Sequence, residues 1–134
     1  MSSSSPSKGL NIGLWSVQIL LGAMFTMVGV WKTFTPIEQL AEGLPWVADA
    51  AGLIRFIGVS ELAGGLGLIL PAALRIQPRL TPLAALGLLV IMILAAGFHA
   101  VEGEWASLPV NVVLGGLAAF VLWGRTKAAP IQPR

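Results

Sequence analysis

The amino-acid sequence predicts an all-α integral membrane protein, folded as an antiparallel four-helix bundle. Its 134 residues are 56% hydrophobic and 10% charged, which is too apolar for a soluble domain of this length. The apolar residues also form four blocks of about 20 residues, the length that a helix needs to cross a bilayer. Because four spans return the chain to its starting side, both termini are expected on one side of the membrane.

The predicted spans cover approximately residues 12–31, 53–70, 82–101 and 105–124. The first lacks a small-residue cleavage site, so it is interpreted as a retained span and not as a signal peptide. The second ends at Pro71, and the third begins at Pro82, a first-turn position where proline is tolerated. The chain is thus divided into a disordered tail (1–10), a membrane domain (11–125) and a second tail (126–134).

Charged residues predict the orientation of the spans. Most basic residues lie in the two tails and in the second connection, whereas the first and third connections hold five of the six acidic residues. Lysine and arginine near span ends are retained on the cytoplasmic side, so both termini are predicted to be cytoplasmic. The net charge of +2 is interpreted as a topology signal, and no nucleic-acid partner is expected.

The first outer connection is predicted to contain a short amphipathic helix. Thr35-Pro36-Ile37-Glu38 fits a capping box with Thr35 as the N-cap, and apolar residues follow at helical spacing to Leu44. Trp46 is expected to anchor this helix at the membrane surface. The helix would either close a cavity between the spans or cover the end of the bundle.

Small residues predict close packing of the spans. The motifs are Gly22-xxx-Thr26 in the first span, Ser60-xxx-Gly64 and Ala63-xxx-Gly67 in the second, and Gly115-Gly116 in the fourth.

Glu61, near the middle of the second span, is the strongest functional candidate. The large apolar residues of this span favour insertion by about 5 kcal/mol, and one central charge opposes it by about 3 kcal/mol. The span therefore tolerates Glu61, but insertion does not favour it. Two interpretations remain open: Glu61 binds a ligand, or it forms a structural hydrogen bond with Gln18 of the first span.

Every span brings a polar group toward the outer half of the bundle. The candidate ligand-binding residues are Glu61, Arg55, His99, Gln18, Asn111 and Lys32. Arg55 lies about 120° round the helix from Glu61, so a direct bridge between them is not expected. Polar groups are also tolerated best near the membrane surface, and His99 could simply pair with Glu102. With one histidine and no cysteine, no metal site is predicted, and thiol chemistry is excluded within this chain.

The run Gly58–Gly64, together with Pro71, Thr81-Pro82 and His99, resembles the DoxX-like family of small four-span bacterial membrane proteins. The resemblance extends from Gly13 to about Arg125. It implies a location in the bacterial inner membrane, and it implies that Arg55, Glu61 and His99 carry any family function. Relatives include a subunit of a thiosulfate:quinone oxidoreductase, and more distant relatives resemble receptor-assembly chaperones.

Three functional interpretations follow. The first is a redox-associated subunit without independent enzyme activity, which binds a quinone or another small apolar ligand in the outer half of the bundle. The second is an assembly or scaffold protein for partner membrane proteins. The third is a small transporter or channel, which is less favoured because so short a chain would have to oligomerise. The expected partners are the lipid bilayer, membrane or redox proteins, and a second copy of the chain.

Overall fold

The computed structural model describes residues 7–134, which form a bundle of helices. The α-helices are α1 (Lys8–Phe34), α2 (Ile37–Gly43), α3 (Ala51–Leu74), α4 (Leu80–Val101) and α5 (Leu108–Trp123). Turns of 3-10 helix, Pro45–Asp49 and Trp105–Ser107, precede α3 and α5, and a π-helical turn, Gly124–Ala128, follows α5. Four of the helical segments are long and apolar enough to cross a membrane, and α2 is short. The predicted fold class is confirmed.

The four long helices alternate in direction, so the bundle has two distinct ends. The terminal end holds the start of α1, the connection between α3 and α4, and the C-terminal segment. The loop end holds the connection that contains α2 and the connection between α4 and α5. The C-terminal segment folds back over the terminal end, where the Arg134 amide donates to the Arg75 carbonyl over 3.1 Å.

Helix α1 begins earlier than predicted because Ser7 caps it. The Ser7 hydroxyl accepts a hydrogen bond from the Leu10 amide over 3.0 Å, which satisfies one of the free donors at the helix start. Residues 8–10, predicted to be part of a disordered tail, are therefore helical. The rest of that tail, residues 1–6, lies outside the described residues.

The sequence predicted that the second span ends at Pro71, but helix α3 continues to Leu74. A proline inside a helix has no N–H, so the carbonyl four residues earlier, that of Gly67, loses its helical donor. The Thr81 hydroxyl at the start of α4 donates to this carbonyl over 3.0 Å. Thr81 therefore supplies the hydrogen bond that Pro71 of the neighbouring helix cannot make. Helix α3 ends where Arg75 adopts a left-handed conformation, with φ of 55°.

The predicted amphipathic helix is present as α2, but the predicted capping box is wrong. Thr35 ends α1, and Pro36 occupies the N-cap of α2 without a side-chain hydrogen bond. Trp46 is not a simple surface anchor, because its ring packs edge-on against Phe98 with centroids 4.9 Å apart. A small apolar cluster fixes this connection against α3 and contains the buried residues Leu40, Val47 and Ile54.

Glycines bring α1 and α3 into backbone contact. Gly22 and Gly29 on α1 face Gly58 and Gly65 on α3, and each pair is separated by two helical turns. A Cβ atom on Gly65 would lie 2.7 Å from both the Gly22 carbonyl oxygen and the Thr26 amide nitrogen. The predicted packing role of Gly22-xxx-Thr26 is thus confirmed, and this interface sets the rotation and offset of the two helices.

Helices α4 and α5 complete the bundle around a shared apolar core. Gly64 and Gly67 of α3 face α4, where a Cβ at Gly67 would lie 2.8 Å from the Ala84 Cβ. The buried core residues are Leu21, Phe25, Leu68, Ala85, Leu88, Met92, Ala118 and Val121.

Candidate functional site

A buried ion pair joins α1 to the middle of α3. The Lys32 ammonium donates to Glu61 Oε1 over 2.8 Å, and the Glu61 side chain is only 3% exposed. Gly58 makes this approach possible, because a Cβ atom there would lie 2.8 Å from the Lys32 Cβ. The predicted structural hydrogen bond between Glu61 and Gln18 is therefore wrong, since the partner of Glu61 is Lys32.

Arg55 binds the end of α1. Its Nη1 donates to the carbonyls of Lys32 (3.0 Å) and Thr33 (2.7 Å). The last carbonyls of a helix lack partners within the helix, and a cation is favourable there because it complements the helix dipole. As the sequence predicted, Arg55 does not bridge to Glu61. Lys32, Arg55 and Glu61 are called the loop-end charge cluster below.

The loop-end charge cluster keeps unused hydrogen-bonding capacity. A lysine ammonium has three donors and an arginine guanidinium has five. Within residues 7–134, Lys32 donates one side-chain hydrogen bond, and Arg55 donates only through Nη1. Glu61 accepts only through Oε1 in the same part of the chain. The cluster can therefore donate to a carbonyl or anionic group and keep its internal ion pair.

Gln18 lies away from this cluster, nearer the terminal end. Its Nε2 donates to the Leu68 carbonyl over 2.8 Å, and its Oε1 accepts from Arg125 Nε over 2.6 Å. Leu68 follows Glu61 by two helical turns, or about 10 Å along α3. Gln18 therefore bonds α3 at a different depth from Glu61.

His99 and Asn111 are held in separate contacts. His99 Nδ1 lies 2.9 Å from Glu104 Oε1, so the predicted pairing with Glu102 is wrong. The Glu104 amide also donates to the His99 carbonyl over 2.8 Å, which folds Glu104 back over the helix end. Asn111 Nδ2 approaches the Met92 sulfur at 3.5 Å. Three of the six predicted site residues are therefore joined in one cluster, and the other three are bonded elsewhere.

A comparison with protein-family models identifies the chain. The model of the DoxX-like family matches residues 16–121, which is most of the sequence. The chain belongs to the DoxX-like family. No curated protein and no solved structure gives a significant match. The match includes all six predicted site residues and the apolar helices of a multi-pass membrane protein.

Sequence reasoning missed one site residue of this DoxX-like protein, Arg125. Arg125 lies in the π-helical turn that follows α5 and is only 4% exposed. Its Nη1 donates to Asn11 Oδ1 (2.9 Å) and to the Ala129 carbonyl (2.8 Å), in addition to the bond from Nε to Gln18. Its guanidinium carbon lies 5.6 Å from the centre of the Trp15 ring. Arg125 therefore ties the first and last spans together at the terminal end.

The sequence contains a weak signal for the contact of Arg125 with Asn11 and Gln18. Asn11 and Gln18 are separated by two helical turns and so lie on one face of α1. Two amides on one face of an apolar helix require a polar partner, because an unpaired polar group in hydrocarbon is costly. Which basic residue supplies that partner depends on helix packing, and the sequence does not specify it.

Proposed function

We propose that this DoxX-like protein is a bacterial inner-membrane subunit that binds the polar head of a quinone or of a similar apolar carbonyl compound. The ligand would bind at the loop-end charge cluster. With both termini in the cytoplasm, this cluster lies in the outer half of the membrane. The observation that supports the proposal is the unused donor capacity of Lys32 and Arg55 beside a buried carboxylate.

The chemistry of the cluster suits such a ligand. Quinone carbonyl oxygens accept hydrogen bonds, and bonds from an ammonium or guanidinium are about twice as strong as neutral ones. Reduction of a quinone also consumes protons. The Lys32 ammonium carries exchangeable protons, and the Glu61 carboxylate beside it can accept a proton and pass it on. With no cysteine and one histidine, the chain offers few ligands for a redox centre of its own. The electrons would therefore come from a partner protein, and this subunit would have no independent enzyme activity.

Removal of the whole ion pair should weaken ligand binding strongly without unfolding the bundle. In the Lys32→Met/Glu61→Met variant no unpaired charge is left buried, and loss of the charged hydrogen bonds should lower occupancy by about tenfold or more. Native mass spectrometry of the full chain in mild detergent, with solvent extraction of the ligand, measures this occupancy.

The matched control is Glu102→Met/Lys127→Met, which removes one acidic and one basic residue from exposed positions. It should retain the ligand at the level of the unaltered protein. The proposal is wrong if the unaltered protein carries only bulk phospholipid, or if a quinone persists in Lys32→Met/Glu61→Met.

A second candidate function, assembly of a membrane complex, is favoured by a groove between α3 and α4. The groove has a volume of about 450 Å³. Small residues that line it are Ser60, Ala63, Gly64, Gly67, Ala84 and Gly87. Small residues allow a further transmembrane helix to approach closely, which is how helices associate in lipid. The proposed occupant is a helix of a partner membrane protein.

Filling this groove should release the chain from its complex. At Gly87 a Cβ atom would meet nothing within 4 Å, so Gly87→Leu leaves the bundle intact but occupies the groove. Native gels of solubilised membranes, probed through a tag on the chain, should then show a shift from complex to free protein. Gly97→Leu is the control on the same helix, because its Cβ is also unobstructed and Gly97 does not line the groove. An unchanged pattern for Gly87→Leu would exclude this function.

A further inference from the structure

Within the described part of the chain, residues 7–134, the buried guanidinium of Arg125 has no anionic partner. Its hydrogen bonds go to two side-chain amide oxygens and to one backbone carbonyl. Its Nη2 is buried and has no hydrogen-bond partner within residues 7–134. Burial of a cation without a counter-charge is unfavourable, because neutral dipoles replace its hydration only in part. The terminal end therefore holds a positive charge that an anion would stabilise.

Arg125 borders a pocket that contains two further cations. The pocket has a volume of about 410 Å³ and lies between the start of α1, the end of α3 and the C-terminal segment. Lys8 and Arg75 line it together with Arg125, and both are exposed. Among the residues that the structure describes, no aspartate or glutamate lines this pocket.

The acidic residues of the chain lie far from this pocket. Five of the six are in the connections at the loop end, and the sixth, Glu61, pairs with Lys32. Among the described residues, the Lys32–Glu61 ion pair and the His99–Glu104 contact include none of the three pocket cations. The positive charge of the pocket is therefore not neutralised within residues 7–134.

The other lining residues indicate which kind of anion fits. Trp15 and Asn11 form one wall, and Ala72, Pro130 and Ile131 supply apolar surface beside the cations. The pocket lies at the end of the membrane-spanning helices, which is the depth of lipid head groups. Basic pockets between transmembrane helices at this depth bind anionic head groups. A phosphate with an attached apolar group matches this combination of charge and surface.

We propose that Lys8, Arg75 and Arg125 form a phosphate-binding site at the terminal end, and that an anionic phospholipid supplies the phosphate. Lys8 and Arg75 donate to the phosphate oxygens from the exposed side. Arg125 attracts the phosphate from the buried side, where the low dielectric strengthens the Coulomb attraction between its uncompensated charge and the anion. The bound head group links the start of α1 to the connection between α3 and α4.

Lipid titrations in native mass spectrometry test this site on the full chain in mild detergent. Dioleoyl phosphatidylglycerol should bind with a stoichiometry of one and should raise the melting temperature, whereas dioleoyl phosphatidylcholine should do neither. Lys8→Gln and Arg75→Gln should each weaken phosphatidylglycerol binding by about tenfold, the loss expected for one charged hydrogen bond. Both residues are exposed, so these variants keep the fold, which circular dichroism verifies.

The matched control is Arg79→Gln, which removes an exposed cation from the same connection but outside the pocket. It should leave phosphatidylglycerol binding unchanged. Equal losses in Arg75→Gln and Arg79→Gln would overturn the site in favour of general charge attraction. Equal binding of phosphatidylglycerol and phosphatidylcholine would also overturn the proposed site.

A separate titration with inorganic phosphate distinguishes the source of the anion. Stabilisation by phosphatidylglycerol at concentrations where inorganic phosphate has no effect supports a lipid ligand. Equal stabilisation by inorganic phosphate, abolished by Arg75→Gln, would overturn the assignment to lipid and identify a site for soluble phosphate.

Discussion

Replacement of Gly65 by leucine is expected to separate α1 from α3 and to destabilise the bundle by about 3 kcal/mol or more. A Cβ atom at this position would lie 2.7 Å from backbone atoms of Gly22 and Thr26, and 2.6 Å from the Thr26 hydroxyl. Backbone atoms inside a helix cannot move aside as a flexible side chain can. The helices must therefore move apart, which would break the contact along its whole length.

Unfolding in a detergent titration, monitored by circular dichroism, measures this loss. Gly65→Ala should give an intermediate effect, because it adds only the first clashing atom. Gly116→Leu is the matched control on α5, where a Cβ atom would meet nothing within 4 Å. It should change stability by less than about 0.5 kcal/mol, as substitutions outside packed sites do. Similar losses for Gly65→Leu and Gly116→Leu would contradict the described interface.

Removal of one member of the Lys32–Glu61 pair is expected to be more harmful than removal of both. Lys32→Met leaves a buried carboxylate without its partner, and Glu61→Met leaves the ammonium without its own. Breaking a buried pair in this way typically costs about 3–5 kcal/mol, whereas replacing the whole pair by apolar residues is often neutral. The double variant should therefore recover most of the stability that each single variant loses.

A double-mutant cycle from detergent unfolding gives the coupling energy between the two residues. A double variant as unstable as the sum of the two single variants would show that the residues act independently. The cycle also separates stability from binding. A double variant that is stable but carries no ligand supports the proposed quinone site. A stable double variant that keeps its ligand would show that the pair has only a structural role.

The location of the spans was predictable because hydrophobicity is a local property. Each apolar block contributes to insertion through its own residues, so the four helices and their antiparallel order follow from composition and length. The ends of the helices were less predictable. Pro71 was expected to end its helix, but the Thr81 hydroxyl replaces the hydrogen bond that the proline cannot make.

The partners of the polar residues were predictable only in part. Arg55 was correctly separated from Glu61, because both lie on one helix and their angular separation follows from the sequence. Polar contacts between helices were not predicted correctly. Gln18 was expected beside Glu61 but bonds Leu68 and Arg125, and Lys32, not Gln18, reaches Glu61.

Composition and the length of the apolar blocks are enough to establish four membrane spans with charged groups inside them. Which of these groups meet depends on how the helices pack. Each residue turns a helix by about 100° and advances it by about 1.5 Å, so small changes in rotation or offset select different partners. Contact between Gly22 and Gly65 fixes that rotation and offset for α1 and α3. The same packing brings Lys32 to Glu61 and lets Arg125 reach Gln18 at the opposite end of the bundle.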